Sequence, residues 1–163
     1  MHFVGRATAA TQRWERLPVT GISAEDAAAY AGSLERSGRV PGARLCSEYE
    51  WERAARGADG RDFPHGRTLA PADANYKDTH GEAAMAPDEV GSYPASRSPF
   101  GLDDTSGNAF EWARSSIGAG FVVRGGSYFH DVKTAQLVNR TVVTPALRDP
   151  TLGLRLCATF PAR

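Results

Sequence analysis

Apolar positions after Ser23 return with a helical period. Ala27, Tyr30, Ala31 and Leu34 stand at i, i+3, i+4 and i+7, Asp26 occupies the first turn, and the pattern ends near Gly38. This spacing predicts an amphipathic helix. A second helix is marked by Ser47-Glu48-Tyr49-Glu50, a capping box, followed by Trp51, Ala54 and Ala55 on one face and by Gly57, which is placed to end it. Between Gly57 and about Ser106, glycine, proline, aspartate and alanine dominate and neither the helical nor the strand period survives. So long an irregular stretch in a compact domain needs something other than regular backbone pairing to hold it, such as a bound metal or a buried side-chain network. Phe63, Tyr76, Tyr93 and Phe100 are spaced through it and favour an ordered loop over a disordered one. Beyond Gly120 the texture becomes β: Phe121–Arg124, Leu137–Val143 and Leu152–Phe160 read as three antiparallel strands closing the domain. Residues 1–17 show no period and read as a lead-in.

The chain has 163 residues and 17.5 kDa, enough for one moderate core and hence one domain. Lysine plus arginine and aspartate plus glutamate both number 19. No long-range field therefore favours nucleic acid or an anionic membrane, and partners must be recognised locally. Only Lys77 and Lys133 are lysines, so positive charge is carried almost entirely by arginine, whose planar fork suits fixed ion pairs. No apolar run reaches the length of a signal peptide or a membrane span, which makes the cytoplasm the default expectation. Cys46 and Cys157 are too few for a disulfide framework. Two reduced structural thiols are the favoured reading and a single bridge between them is the alternative.

Several local motifs carry candidate chemistry. Asp103 to Glu111 is a tight loop rich in carboxylates and turned carbonyls, the donor type a hard cation such as calcium needs. Its other reading is structural: the aspartates cap turns, Gly107-Asn108 makes a turn, and Glu111 pairs with an arginine. Arg124-Gly125-Gly126-Ser127-Tyr128 follows a strand, and its glycines allow close backbone approach, shaping either a cleft floor that presents Ser127 or a plain bulge. His65, His80 and His130, with Asp131, are the ligand types of a non-haem iron site, against which stands their wide spacing. A Ser127, His130, Asp131 triad is weaker, because residues so close in sequence do not readily reach triad geometry. The sequon Asn139-Arg140-Thr141 is set aside for want of a secretory signal. Trp14, Trp51 and Trp112 read as core residues. Arg140, Arg148 and Arg155 read as structural pairs, or as a line of arginines clamping an anion.

Four segments in order, PVTGISAEDAAAYA at 18–31, RLCSEYEWERAARG at 44–57, FGLDDTSGNAFEW at 100–112 and VVRGGSYF at 122–129, with Gly153-Leu154-Arg155 near the end, resemble the series found in formylglycine-generating enzymes and their bacterial relatives, the sulfatase-modifying factor family. The resemblance implies an α+β, C-type-lectin-like fold with two helices, short antiparallel strands and a long ordered loop, spanning 18–163 and lacking the strands that relatives carry ahead of the PVT segment. A partner chain or a fused domain would then complete it. It implies structural calcium, held by Asp104 and Glu111 side chains and by Gly107 and Ala109 carbonyls, with a second site at Asn75 and the carbonyl of Tyr76. The positions matching the copper-binding cysteines of the oxidases are His130 and Ala135. No copper is therefore expected, and fold does not carry activity with it. The expectation is a non-catalytic recognition module that binds a protein or small ligand through its loop face at Phe110, Arg124, Ser127, Tyr128 and His130. Related domains occur in bacterial signalling proteins such as serine/threonine kinases and in retroelement-diversified proteins, where Tyr128 to about Thr151 would be the variable surface. The alternative is a metal-dependent oxidoreductase, using non-haem iron or copper, with its cleft near Ser127 and His130.

Overall fold

The computed structural model describes residues 1–159. Both expected helices form. α1 (Ala24–Arg36) begins at a reciprocal cap in which the Ser23 hydroxyl accepts from the Asp26 N–H at 3.1 Å and the Asp26 carboxylate accepts from the Ser23 N–H at 2.9 Å. α2 (Glu48–Arg56) repeats the device with Ser47 and Glu50 and stops at Gly57, whose φ of 76° lies where glycine is favoured. Between them β1 (Ala43–Leu45) forms a short strand. From Gly57 to Ala109 the only regular pieces among the described residues are α3 (Lys77–His80) and two 3-10 turns, Glu82–Ala84 and Pro94–Ser96.

Strands β2 (Phe110–Arg114), β3 (Phe121–Arg124), β4 (Arg140–Val142) and β5 (Leu152–Leu154) make a sheet in the order β4-β3-β2-β5, while β6 (Leu156–Ala158) leaves it to pair with β1. The expected closing strands are thus corrected in three ways. Only 140–142 of the Leu137–Val143 run is strand. Leu152–Phe160 is not one strand but two, broken at Arg155, and Phe160 lies outside the described residues. And β5 joins β2 in parallel, Phe110 opposite Leu152 and Trp112 opposite Leu154, whereas β3 and β4 are antiparallel as expected. The physical cause of the break is Arg155. Its guanidinium turns inward to form two hydrogen bonds with Glu111, at 2.7 and 2.6 Å, and one with the Asp103 carbonyl at 2.8 Å, so the chain changes sheets across it.

The main core joins Ala24 and Ala27 of α1 to Leu45, Phe110, Trp112, Val123 and Leu152, and the Trp112 indole donates to the Ile22 carbonyl at 2.9 Å. A second cluster gathers Cys46, Trp51, Ala55 and Leu137. Within it Cys46 and Cys157 are bonded, correcting the reduced-thiol reading: β1–β6 pairing sets Arg44 opposite Cys157 and brings the two Cα atoms to 4.9 Å. Trp51 and Trp112 are buried as expected, but Trp14 is not; it is the first residue of a 3-10 turn, Trp14–Arg16, and is 68% exposed.

The long loop is held by buried side chains. Asp88 is fully buried and accepts from Arg6, Gln12, His80 at 2.9 Å and Tyr93 at 2.5 Å. Burial alone would push its carboxyl up; the hydrogen bonds from Tyr93 and His80 and the charge of Arg6 hold it below the usual carboxylate range. Asn108, at a φ of 65°, accepts from the Asp88 N–H at 2.8 Å and donates to the Asp88 carbonyl at 3.1 Å, while its own N–H reaches the Asn75 carbonyl at 2.7 Å. Three segments remote in sequence are thereby joined at one amide. Arg6 and Gln12 also pack the segment expected as a lead-in into the body of the domain.

Candidate functional site

β3 ends at Gly125 and Gly126, both at positive φ. At Gly126 a Cβ would come within 2.8 Å of the Ala135 backbone, so only glycine admits this approach. The chain then turns back through Ser127–His130 and the turns at 131–139 before entering β4. This excursion, together with the 143–152 segment returning to β5, walls a cleft of about 390 Å³. Its floor is Phe110, Val123 and Leu152; Phe129, Val143 and Leu147 form apolar walls. Thr134, Asn139, Thr141 and Thr151 line the rim, and His130 and Asp149 bring the two titratable side chains.

His130 is fixed on three sides. Its ring meets Phe110 edge-on at 4.9 Å and Phe129 at 5.6 Å, and its Nδ1 lies 2.8 Å from the Ser127 hydroxyl. The Ser127 oxygen also accepts the Phe129 N–H, at 3.3 Å. Of a neutral ring's two nitrogens one donates and one accepts; Nδ1 faces Ser127, and Nε2 is left to meet a ligand. Burial pushes the imidazolium down against the smaller upward pull of Asp149 and Asp131, so the ring is neutral at neutral pH. Ser127 is fully buried behind the ring, out of reach of a substrate carbonyl, and Asp131 accepts from Thr134 at 2.9 and 3.0 Å instead of orienting the histidine. The triad geometry is not formed.

Of the five residues expected to bind a ligand, Phe110 and His130 line this cleft, Ser127 supports His130 from behind, and Tyr128 is half-buried and not part of the lining. Burial, and then the nearby Asp149 charge, raise the Tyr128 hydroxyl above its ordinary value. Arg124 is elsewhere. It is buried over Trp51, donating to Glu52 at 2.6 Å and to the Leu137 carbonyl at 2.9 Å, with Glu48 at 3.9 Å. Arg140, Arg148 and Arg155 pair with Glu48, Asp26 and Glu111, the structural arrangement rather than a clamp. The cleft residues that sequence reading missed are chiefly Asp149 and its neighbours. Asp149 fell only within the broad Tyr128–Thr151 stretch implied by the resemblance; its own signal was Asp149-Pro150-Thr151, an aspartate placed to accept from the N–H two residues on, which it does at 2.8 Å.

A larger cleft of about 460 Å³ lies over the Asp104–Glu111 loop. Its polar side chains are committed internally. Glu111 accepts from Trp51 at 2.6 Å and from Arg155 on both oxygens; Asp104 accepts from the Gly91 N–H at 2.9 Å and from Ser96 at 3.3 Å. Burial raises the Asp104 carboxyl above its ordinary value. In this arrangement the donor set does not fit a calcium ion, because the Arg155 guanidinium occupies the cation's place at Glu111. The loop is nonetheless shaped with care: Asp104, Gly107 and Asn108 all take positive φ, and a Cβ at Gly107 would lie 2.4 Å from the Asn75 carbonyl. Ala109 continues into β2 and is buried. At the second expected site the Asn75 amide donates to Ala86 at 2.9 Å and leaves its Oδ1 buried without a partner among the described residues, while the Tyr76 carbonyl accepts from the Thr79 N–H. The guanidinium of Arg6 lies beside it on the same Ala86 carbonyl. His65, His80 and His130 are bound at separate places, to Ala95, Asp88 and Ser127 respectively.

The sequence is 32% identical over 166 residues to the inactive C-alpha-formylglycine-generating enzyme 2 of Mus musculus, covering 90% of this chain and 50% of that protein. It is 31% identical over 173 residues to the formylglycine-generating enzyme of Streptomyces coelicolor, covering 86% and 52%. The chain thus spans about half the length of these relatives. Among solved structures, Treponema denticola variable protein 1 superposes with a TM-score of 0.77 at 20% identity, over 95% of this chain and 76% of that one, which establishes the C-type-lectin-like fold alone. The sulfatase-modifying factor enzyme 1-like domain matches residues 2–160, and the chain belongs to this formylglycine-generating-enzyme family.

Proposed function

We propose that the domain is a non-catalytic recognition module whose ligand site is the cleft bounded by Phe110, Phe129, His130 and Asp149. The observation that carries this reading is the state of Ser127 and His130: a packed imidazole presents one ring nitrogen to a largely apolar cleft, and the hydroxyl hydrogen-bonded to the other is buried behind the ring. Such an arrangement orients and selects; the hydroxyl that the histidine could activate is not exposed. A relative bearing the name of an inactive formylglycine-generating enzyme supports the same view. Internal pairing of the calcium-loop carboxylates leaves that larger cleft with few free polar groups, which favours the His130 cleft as the place of recognition.

The test is an amide-resolved NMR screen of the purified chain against a small-fragment set, run beside metal analysis and oxygen-uptake assays on a peptide thiol. Shifts concentrated at Phe129, His130 and Asp149, without oxygen uptake, support recognition. Stoichiometric iron or copper with oxygen uptake that disappears in His130→Ala overturns it and makes the domain an oxidoreductase.

A further inference from the structure

The charge of the cleft narrows its ligand. Of the described side chains that line it, Asp149 is the one carboxylate and none is a lysine or arginine; burial holds the His130 imidazolium below its ordinary value. The basic residues adjoining these walls in sequence are engaged elsewhere or outside the lining. Arg148 pairs with Asp26 at 2.8 Å, Arg140 holds Glu48 at 2.7 Å, and Lys133 does not line the cleft. Asp149 uses Oδ1 to accept from the Thr151 N–H and hydroxyl, at 2.8 and 2.6 Å, which fixes the carboxylate in orientation. Its Oδ2 has no hydrogen-bond partner among the described residues. The rest of the surface is mostly hydrocarbon: Phe110, Phe129, Leu147 and Leu152.

Resting on the recognition reading above, we propose that this cleft takes a singly charged ammonium group on an apolar stem, with Asp149 as its charge partner and Phe110 and Leu152 under the stem. An anionic ligand would be brought beside an uncompensated carboxylate with no cation in the cleft to receive it, while an uncharged one would leave Oδ2 desolvated and unpaired. An ammonium group answers both demands, since it brings three donors to an oxygen that lacks one. The volume, about 390 Å³, is at the small end for ligand sites and fits a stem about the size of one aromatic ring or one lysine side chain. The ammonium group can therefore come from a free amine or from a lysine of a peptide.

Three isosteric probes decide the charge: phenethylamine, 2-phenylethanol and phenylacetate, titrated against the amide spectrum of the wild-type protein. Fragments of this size bind with Kd on the order of 1 mM. The expected result is movement of the Phe129, His130 and Asp149 amides, with phenethylamine about tenfold tighter than the alcohol and phenylacetate weakest. In Asp149→Asn the capping Oδ1 is retained and the amine's advantage over the alcohol disappears. Equal binding of amine and alcohol, or preference for phenylacetate, overturns the charge assignment while leaving a binding cleft in place. If no probe or fragment moves those amides, both this inference and the recognition reading fall. An N-acetyl-lysine N-methylamide titration separates the sources: tighter binding than phenethylamine points to a peptide lysine, weaker binding to a free aromatic amine. The wild-type series stands even if the variant fails to fold.

Discussion

Replacing the bridge with Cys46→Ala and Cys157→Ser removes a cross-link between residues 111 apart in the chain. In the chain-entropy account, closing a loop of that length in the unfolded state is worth about 5 kcal/mol at 25 °C, and measured bridges usually deliver about 2–4 because denatured chains are not ideal. Little new strain is expected on the folded side, since Cys46 sits in a small cluster with Trp51, Ala55 and Leu137 and loses only its sulfur. For a domain of this size each kcal/mol moves the midpoint by about 2–4 °C, so the variant should melt roughly 5–15 °C lower. The assay is thermal unfolding of both proteins with and without a phosphine reductant, paired with a thiol count under denaturing conditions. Reductant should bring the wild type down to the variant and leave the variant unchanged. Two free thiols in protein kept under oxidising conditions, or midpoints within about 1 °C of each other, would refute the reasoning. The same count bears on the cell compartment: the bridge persists in oxidising surroundings, whereas in the cytoplasm suggested by the sequence the chain would carry two thiols and this lower stability.

Arg155→Met should cost about 2–4 kcal/mol by urea unfolding, because Glu111 would keep its burial and lose its counter-charge; a loss under about 1 kcal/mol would mean the pair is incidental. With Arg155 in place, chelation by EDTA should shift the melting midpoint by less than about 1 °C, and a larger fall would show that calcium displaces the guanidinium from Glu111. Arg44 first, and then the Ser47 cap, hold Glu50 down to about 2 from 4.5, so its contribution is complete above pH 4.5 and is lost as pH falls towards 2. Since the pair is partly exposed, the effect is a modest acid limb in stability against pH, flattened in Glu50→Gln and unaltered if the pairing is absent in solution.

What could be read from the sequence was what is decided locally. α2 was legible down to its caps because Ser47, Glu50 and Gly57 fix both ends within ten residues of one another. The split between β5 and β6 was not, since the inward turn of Arg155 depends on Glu111, which lies 44 positions away. Strands of three residues likewise carry too little pattern to announce a parallel partner. The loop from 57 onward was correctly expected to need a non-repetitive anchor, and a buried side-chain network provides one. Its members, Arg6, Asp88 and Asn108, share no motif and meet only through the fold. Within the candidate cleft, Phe110 and His130 were picked out by family resemblance, whereas Asp149 had of its own only a turn signature, which many solvent-facing aspartates share. Arg124 illustrates the converse: a conspicuous motif residue whose charge is spent on Glu52 and Trp51.

The pairing of β1 with β6 has a consequence for synthesis. β1 leaves the ribosome more than 100 residues ahead of its strand partner, and at usual elongation speeds that is a wait of about 6–20 s. β2 gains β3 sooner, but its parallel neighbour β5 also emerges late. During that interval the nascent chain displays Leu45 and Trp51, and in its later part Trp112, without the residues that later cover them, a state of high contact order that folds slowly and invites association between chains. Yield on expression should therefore depend on chaperone supply more steeply than the finished domain's resistance to denaturant would suggest.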